Sequence, residues 1–168
     1  MSTRLTPTSY VVLGLVDWLG PSTPYDLKRA VAAGLGNFWS FPHTQLYTEP
    51  ERLAHAGLLR ERREESGRRR KVYSLTAAGR RELEAWRGEP TAELTELRDI
   101  GLLKLYLGAD PHAMAEVQLE AHRRKLHEYE ELKKRDTGAE PRGAWQALDA
   151  GIGHAREWIR FWSGLAED

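Results

Sequence analysis

Apolar positions recur at helical spacing along most of this chain, and one basic stretch interrupts the rhythm. Val12, Leu15, Val16 and Leu19 fall three and four apart, which predicts a helix over Ser9 to Leu19 with one broad core face. Thr8 is placed to cap it, and Gly20-Pro21 stops it. A second helix start follows. Thr23 stands at the cap position, Pro24 at the first helical position and Asp26 three residues after the cap. That helix is expected to reach Ala33. Gly34-Leu35-Gly36-Asn37 breaks it, and Phe38-Trp39 is expected to plug the core beneath the turn. A third helix is predicted over Pro42 to Ala56. It carries Leu46, Leu53 and Ala56 inward and ends at Gly57. Pro50 lies inside it. A proline there has no N–H for the Leu46 carbonyl, so a bend or a restart near Thr48 and Glu49 is predicted.

The pattern then changes. Leu58 to Arg63 and Val72 to Leu75 read as strands around Gly67, which supplies a turn. Arg68, Arg69, Arg70 and Lys71 fill the tip and the returning strand. Thr76 then caps a helix running through Leu83 and Trp86. Helix, turn, helix, basic hairpin, helix is the order of a winged helix-turn-helix, whose second helix enters a DNA major groove while the hairpin rides on phosphates. A charged, solvated hairpin on some other α+β domain is the plainer alternative.

Gly88-Glu89-Pro90 interrupts the pattern and divides the chain into residues 1–88 and 89–168. Thr91 to Leu107 is predicted helical, and Pro111 to Arg135 forms a long helix. Ala115, Leu119, His122, Leu126 and Tyr129 make a coiled-coil-like seam on it. A last helix spans Ala144 to Leu165. Trp145, Leu148, Ile152, Ala155, Ile159 and Trp162 form one stripe, and Trp158, Phe161 and Leu165 form another. Two stripes call for two partners, one being the helix's own domain and the other a second subunit. The expected dimer interface is Leu119, His122, Leu126, Tyr129, Ile159 and Trp162. Tyr106, Trp145 and Trp158 are candidates for an effector pocket. The fold class predicted is mostly α with a small β-hairpin: an N-terminal winged helix-turn-helix and a C-terminal helical dimerisation domain.

Charge sharpens this division. The net charge is zero over 168 residues. Yet residues 1–85 hold 13 Lys and Arg against 9 Asp and Glu, and residues 86–168 hold 12 against 16. The first half suits a polyanion and the second does not. There is no cysteine, which removes disulfides and thiolate chemistry. No apolar run reaches the length of a membrane span, because Asp17 interrupts Val11 to Leu19. No signal-peptide pattern opens the chain, so a cytoplasmic location is expected.

Several segments together resemble the PadR family of transcriptional regulators. Val12-Leu13-Gly14-Leu15-Val16 followed by Pro24-Tyr25-Asp26-Leu27 is similar to its first helix and second-helix start. Gln45-Leu46-Tyr47, Arg52-Leu53 and Ala56-Gly57-Leu58-Leu59 resemble its recognition helix. Arg69-Arg70-Lys71-Val72-Tyr73-Ser74-Leu75-Thr76 with Gly79 resembles its wing and the exit into the fourth helix. The likeness covers residues 8–86, and beyond them helical layout and length agree with the longer members. Thr48 stands where the family usually has proline, and Pro50 where an apolar residue is usual. The resemblance implies a homodimer on a palindromic operator, acting as a repressor. In some members a phenolic or other hydrophobic effector releases the DNA. MarR-type regulators share similar wing-exit residues and form an alternative.

Within this frame the candidate DNA contacts are His43, Thr44, Gln45, Tyr47 and Thr48 at the start of the third helix, and Arg68, Arg69, Arg70 and Lys71 on the wing. Glutamine pairs with adenine through both ends of its amide, and threonine meets a thymine methyl or a phosphate. An ordinary polar helix face is the alternative for the first group. No metal or cofactor is expected: His122 and His127 do not share a helix face well, and no His-Glu-x-x-His occurs. No catalytic motif stands out, so the chain is read as a non-enzyme. The competing function is a winged-helix protein-interaction module with no DNA role.

Overall fold

The computed structural model describes residues 4–40, 42, 44–65, 69–138 and 141–167. They form two compact units, residues 1–92 and 93–168. The first begins with helix α1, Pro7–Leu19. It starts two residues earlier than the apolar pattern suggests. Ser9 Oγ accepts from the Thr6 backbone N–H at 2.8 Å, so Thr6, not Thr8, is the cap. Helix α2 is Pro24–Ala33. Its capping box is reciprocal: Thr23 N–H donates to Asp26 Oδ2 at 2.9 Å and Asp26 N–H to Thr23 Oγ1 at 3.3 Å. A 3-10 turn, Leu35–Asn37, follows.

Phe38 and Trp39 do not plug the core. They are 61% and 43% exposed, and Leu35 packs there instead. The 3-10 turn puts Leu35 against the core and carries the two aromatic residues past it.

Helix α3 is Gln45–His55, three residues shorter at its start than predicted. It runs through Pro50 without a break. Leu46, Pro50 and Leu53 are its buried residues, spaced four and three apart on one face. The proline ring thus serves as a core residue, and its apolar burial offsets the lost hydrogen bond. The restart near Thr48 and Glu49 does not occur. Gly57, with φ 76°, closes the helix. Leu58 N–H donates to the Leu53 carbonyl at 2.9 Å and Gly57 N–H to that of Ala54 at 3.0 Å, a Schellman arrangement.

Strands β1, Leu59–Arg63, and β2, Lys71–Leu75, pair antiparallel with Leu59 opposite Leu75 and Arg63 opposite Lys71. Ser22 adds a short third edge, exchanging backbone hydrogen bonds with Tyr73 at 2.8 and 2.9 Å. Helix α4 is Ala77–Gly88, capped by Thr76, whose Oγ1 accepts from Gly79 N–H at 3.0 Å. One core joins these elements: Val12, Leu13, Val16, Leu27, Leu46, Leu53, Leu59, Tyr73 and Leu83 are all nearly or fully buried.

The second unit contains α5, Ile100–Tyr106, α6, Pro111–Lys133, and α7, Arg142–Glu167. The predicted helix over Thr91 to Leu107 is therefore only its last part. Residues 91–99 are not helical, and Leu94 and Leu97 are 93% and 62% exposed. Helical propensity without an apolar partner does not hold a short helix together. The Asp99 side chain instead caps α5 by accepting from Leu102 N–H at 3.0 Å. Helices α6 and α7 pack as an antiparallel pair. Tyr129 lies on Gly151, His122 stacks on Trp158, and Ala115, Leu119 and Trp162 share one buried cluster. No helix of the described residues is long and apolar enough to cross a membrane.

Candidate nucleic-acid interface

Core packing of α3 decides which of its residues face outward. With Leu46, Pro50 and Leu53 turned in, Thr44, Tyr47, Thr48, Glu51 and His55 are exposed and Gln45 is half-buried. Four of the five expected helix contacts, Thr44, Gln45, Tyr47 and Thr48, thus lie together on the first turn. His43 lies outside the described residues. Gln45 is not free. Its Oε1 accepts from Thr8 Oγ1 on α1 at 3.0 Å. The other half of the helix is pinned by Arg52, which donates to both Glu49 oxygens at 2.8 and 2.5 Å and to Ser9 Oγ at 3.0 Å. Burial pushes the Glu49 carboxyl up, but hydrogen bonds from Arg52 and Ser9 and the Arg52 charge together carry it below its ordinary value.

The wing is less free in charge than its sequence suggests. Lys71 Nζ contacts Glu51 Oε1 of α3 at 2.9 Å and Glu61 Oε2 of β1 at 3.3 Å. The hydrogen bond to Glu51 does most to hold the Lys71 ammonium above the usual lysine range. Arg70 forms a two-pronged pair with Glu64, at 3.0 and 2.9 Å. Arg69 has no ion-pair partner among the described residues and turns the chain with φ 49°. Arg68 and the expected turn residue Gly67 lie outside the described residues. Beneath the wing, Tyr73 is fully buried with its hydroxyl donating to Glu61 Oε2 at 3.2 Å. Burial, and then the Glu61 charge, push its pKa up to about 12.

Sequence reasoning missed three contributors here. Glu51 and Glu61 are carboxylates inside a basic region, and Thr8 acts from another helix. Alternation offered a signal for Glu61 alone, since β1 puts Leu59 and Glu61 on one face and Arg60 and Arg62 on the other.

In the second unit much of the seam has a partner within its own chain. Leu119 and Trp162 belong to one buried cluster with Ile159 packed on it, His122 stacks on Trp158 at 5.8 Å, and Tyr129 covers Gly151. Trp162 is completely buried, so it has no surface left for a second chain. Leu126 is half-buried. Burial pushes the His122 pKa down, opposed by Asp99. The aromatic trio does not converge on one pocket. Tyr106 is 88% exposed, and Trp145 and Trp158 stand 13 residues apart on α7, ~20 Å along the axis. Among the described residues no group of three or more His, Cys, Asp or Glu side chains is placed to hold a metal ion.

Helices α1, α2 and α3, a two-stranded wing edged by Ser22 and the outward-facing start of α3 define the first unit as a winged helix-turn-helix. Residues 12–85 match the transcriptional regulator PadR-like family. The negative transcriptional regulator PadR of Bacillus subtilis (strain 168) is 35% identical over 101 residues, 58% of this chain and 54% of that protein. The match thus spans about half the length of this relative. The crystal structure of Bacillus subtilis PadR in complex with operator DNA superposes with a TM-score of 0.83 at 24% identity, covering 95% of this chain and 96% of the other. The same protein in complex with p-coumaric acid gives 0.79 at 23% identity, covering 97% of each chain. At these identities the structural likeness establishes the fold.

Proposed function

We propose that this chain is a sequence-specific DNA-binding transcriptional regulator that works as a homodimer on a palindromic duplex. The observation that carries this reading is the shared outer face of α3 and the wing. Thr44, Gln45, Tyr47 and Thr48 stand on the first helical turn, and Lys71 ties the basic hairpin to the same helix through Glu51. Helix residues at that position reach base edges, and the wing cations meet phosphates. The contacts proposed are Thr44, Gln45, Tyr47 and Thr48 with His43, and Arg68, Arg69, Arg70 and Lys71. The relative solved with operator DNA supports the DNA-binding reading as a whole. A repressor role follows the name of the Bacillus relative. Release by a small aromatic acid follows the p-coumaric acid complex. Residues 1–88 are proposed to bind DNA and residues 89–168 to dimerise and sense the effector, in a protein of the cytoplasm with no catalytic role.

Fluorescence anisotropy on a random duplex tests the first step. Replacing Arg68, Arg69 and Arg70 with Ala should weaken binding to all sequences. It should also flatten the salt dependence by ~0.9 in log–log slope for each phosphate the wing no longer neutralises. An unchanged slope would remove the wing from the interface. No binding at all would favour a protein-interaction module. Selection from a random pool then yields the operator, and p-coumaric acid added to that complex tests release.

A further inference from the structure

Thr44, Thr48, Glu51 and His55 recur four, three and four residues apart along α3, and all are exposed. The row that opens on the proposed base-reading turn therefore ends at His55, in the last turn of the helix. From Thr44 to His55 the axis runs ~16 Å, and the major groove of a B-form duplex is about 12 Å wide. A helix that enters the groove by its first turn carries its last turn out to the phosphate wall. The wing comes to the same place. Lys71 reaches Glu51, one turn before His55. The Lys71 hydrogen bond and charge, and then the charges of His55 and Arg63, hold the Glu51 carboxyl below its ordinary value. Two cations of the wing and one side chain of the helix thus gather around one carboxylate. Glu61 of β1 shares Lys71 and lies 3.9 Å from Arg63. Arg52 turns away to Glu49 and Ser9. Helices α1 and α2 pack on the side of Leu46 and Leu53, so the charges that face His55 come from α3 and the wing.

His55 Nδ1 lies 2.8 Å from the Glu51 carbonyl oxygen. A carbonyl only accepts, so Nδ1 carries a hydrogen and Nε2 is the atom left for a ligand. In the neutral ring Nε2 is an acceptor and has nothing to give a phosphate oxygen. In the protonated ring it is a charged donor. Lysine and arginine stay charged at neutral pH, whereas histidine is the side chain that gains or loses its charge there. A phosphate at this end of α3 therefore favours the protonated ring.

We infer that His55 is a further phosphate contact, and that it takes up a proton when duplex DNA binds, so that affinity rises as pH falls through the neutral range. This rests on the DNA-binding reading above and adds to it a contact at the far end of α3 and a dependence on pH. The bound state holds more protons than the free state. Raising the proton concentration therefore draws binding forward, by at most about tenfold per pH unit for one proton. A phosphate contact carries no sequence information, so the effect belongs to random duplex as much as to an operator.

The test is fluorescence anisotropy on a random duplex at constant salt, with the full-length chain, His55→Gln, His55→Lys and His43→Gln. His55 is exposed, so its variants leave the core as it is. Between ~pH 8 and ~pH 6 the affinity of the wild type should rise about fivefold more than that of His55→Gln. His43→Gln should keep the wild-type rise. His55→Lys is charged throughout and should lose the rise. Its salt dependence near pH 8 should be steeper than that of His55→Gln by ~0.9 in log–log slope, the value of one phosphate neutralised. A rise in His55→Gln equal to that of the wild type overturns the proposal. So does a His55→Lys salt slope equal to that of His55→Gln, which takes this position off the phosphates. Loss of the rise in His43→Gln also overturns it and moves the proton to the other end of the helix. Each of these outcomes leaves the DNA-binding reading standing. Absence of duplex binding by the wild type at every pH overturns both.

Discussion

Lys71 on the wing lies 2.9 Å from Glu51 on α3, so the two parts of the proposed DNA interface are joined by an ion pair. The bond does two opposing things. It fixes the hairpin against the helix, and it commits to a protein carboxylate a cation that would otherwise meet a phosphate. Glu61 takes a second share of the same ammonium. A polyanion arriving at this face competes with both carboxylates.

Glu51→Gln should therefore raise affinity for random duplex and steepen its salt dependence by up to ~0.9 in log–log slope, the value of one further phosphate neutralised. Discrimination between operator and random DNA should fall, because the added attraction is independent of sequence. Anisotropy titrations over a salt series read both effects. Weaker binding to every sequence would show that the ion pair serves mainly to hold the wing in place.

Gly79 is a packing point of the same domain. A Cβ built there would lie 2.1 Å from the Leu58 carbonyl oxygen and 3.0 Å from a Leu75 methyl. The oxygen belongs to backbone fixed by Thr76, whose N–H donates to it at 3.1 Å and whose hydroxyl donates to it at 2.9 Å. Gly79→Ala should cost ~3 kcal/mol in urea unfolding, at the upper end for overpacking. A loss within ~0.5 kcal/mol, as at an ordinary surface site, would mean that α4 moves away without penalty.

Local chemistry makes much of this fold legible in the sequence. The helix starts at Thr23 and Thr76, the stop at Gly57 and the two strands follow from it, since each capping group acts within a few residues of itself. The outward face of α3 is legible for a similar reason, because core residues repeat at helical spacing. Three things are not. Pro50 reads as a break because propensity is local, whereas its burial beside Leu46 and Leu53 is tertiary. Phe38 and Trp39 read as core because they are apolar, and the 3-10 turn gives that place to Leu35. Periodicity marks the α6 seam as a packing face without saying what buries it, and here α7 of the same unit does so.

The α2 cap gives the domain an acid-sensitive element. Hydrogen bonds from the Thr23 hydroxyl and then the Thr23 backbone N–H hold the Asp26 carboxyl below its ordinary value of 3.8. A depressed carboxylate contributes stability above its unfolded pKa and loses it as pH falls through the folded one. Wild type should exceed Asp26→Asn in stability at neutral pH by less than ~1 kcal/mol, because the group is largely solvent-screened. The gap should close below pH 3.8. Urea melts of both proteins across that range measure it, and a gap that persists in acid would assign the difference to packing instead.

The proposed homodimer can be separated from the internal core of the second unit. Trp162 is buried inside that unit, so Trp162→Ala should cost ~3–5 kcal/mol and loosen the α6–α7 pair itself. The apolar residues left uncovered are elsewhere: Leu94, Leu97, Ile100, Leu103, Tyr106 and Leu107 are all exposed. Together they are more apolar surface than one short segment ordinarily leaves to water. Leu97→Glu combined with Leu103→Glu removes nothing from the α6–α7 cluster. It should shift sedimentation from dimer to monomer and weaken operator binding far more than half-site binding, since a two-fold dimer engages both half-sites together. Helical content by circular dichroism should stay unchanged. A double variant that still sediments as a dimer would place the subunit contact away from these leucines and leave Leu126 and the outer edge of α7 around Phe161 as the next surfaces to change.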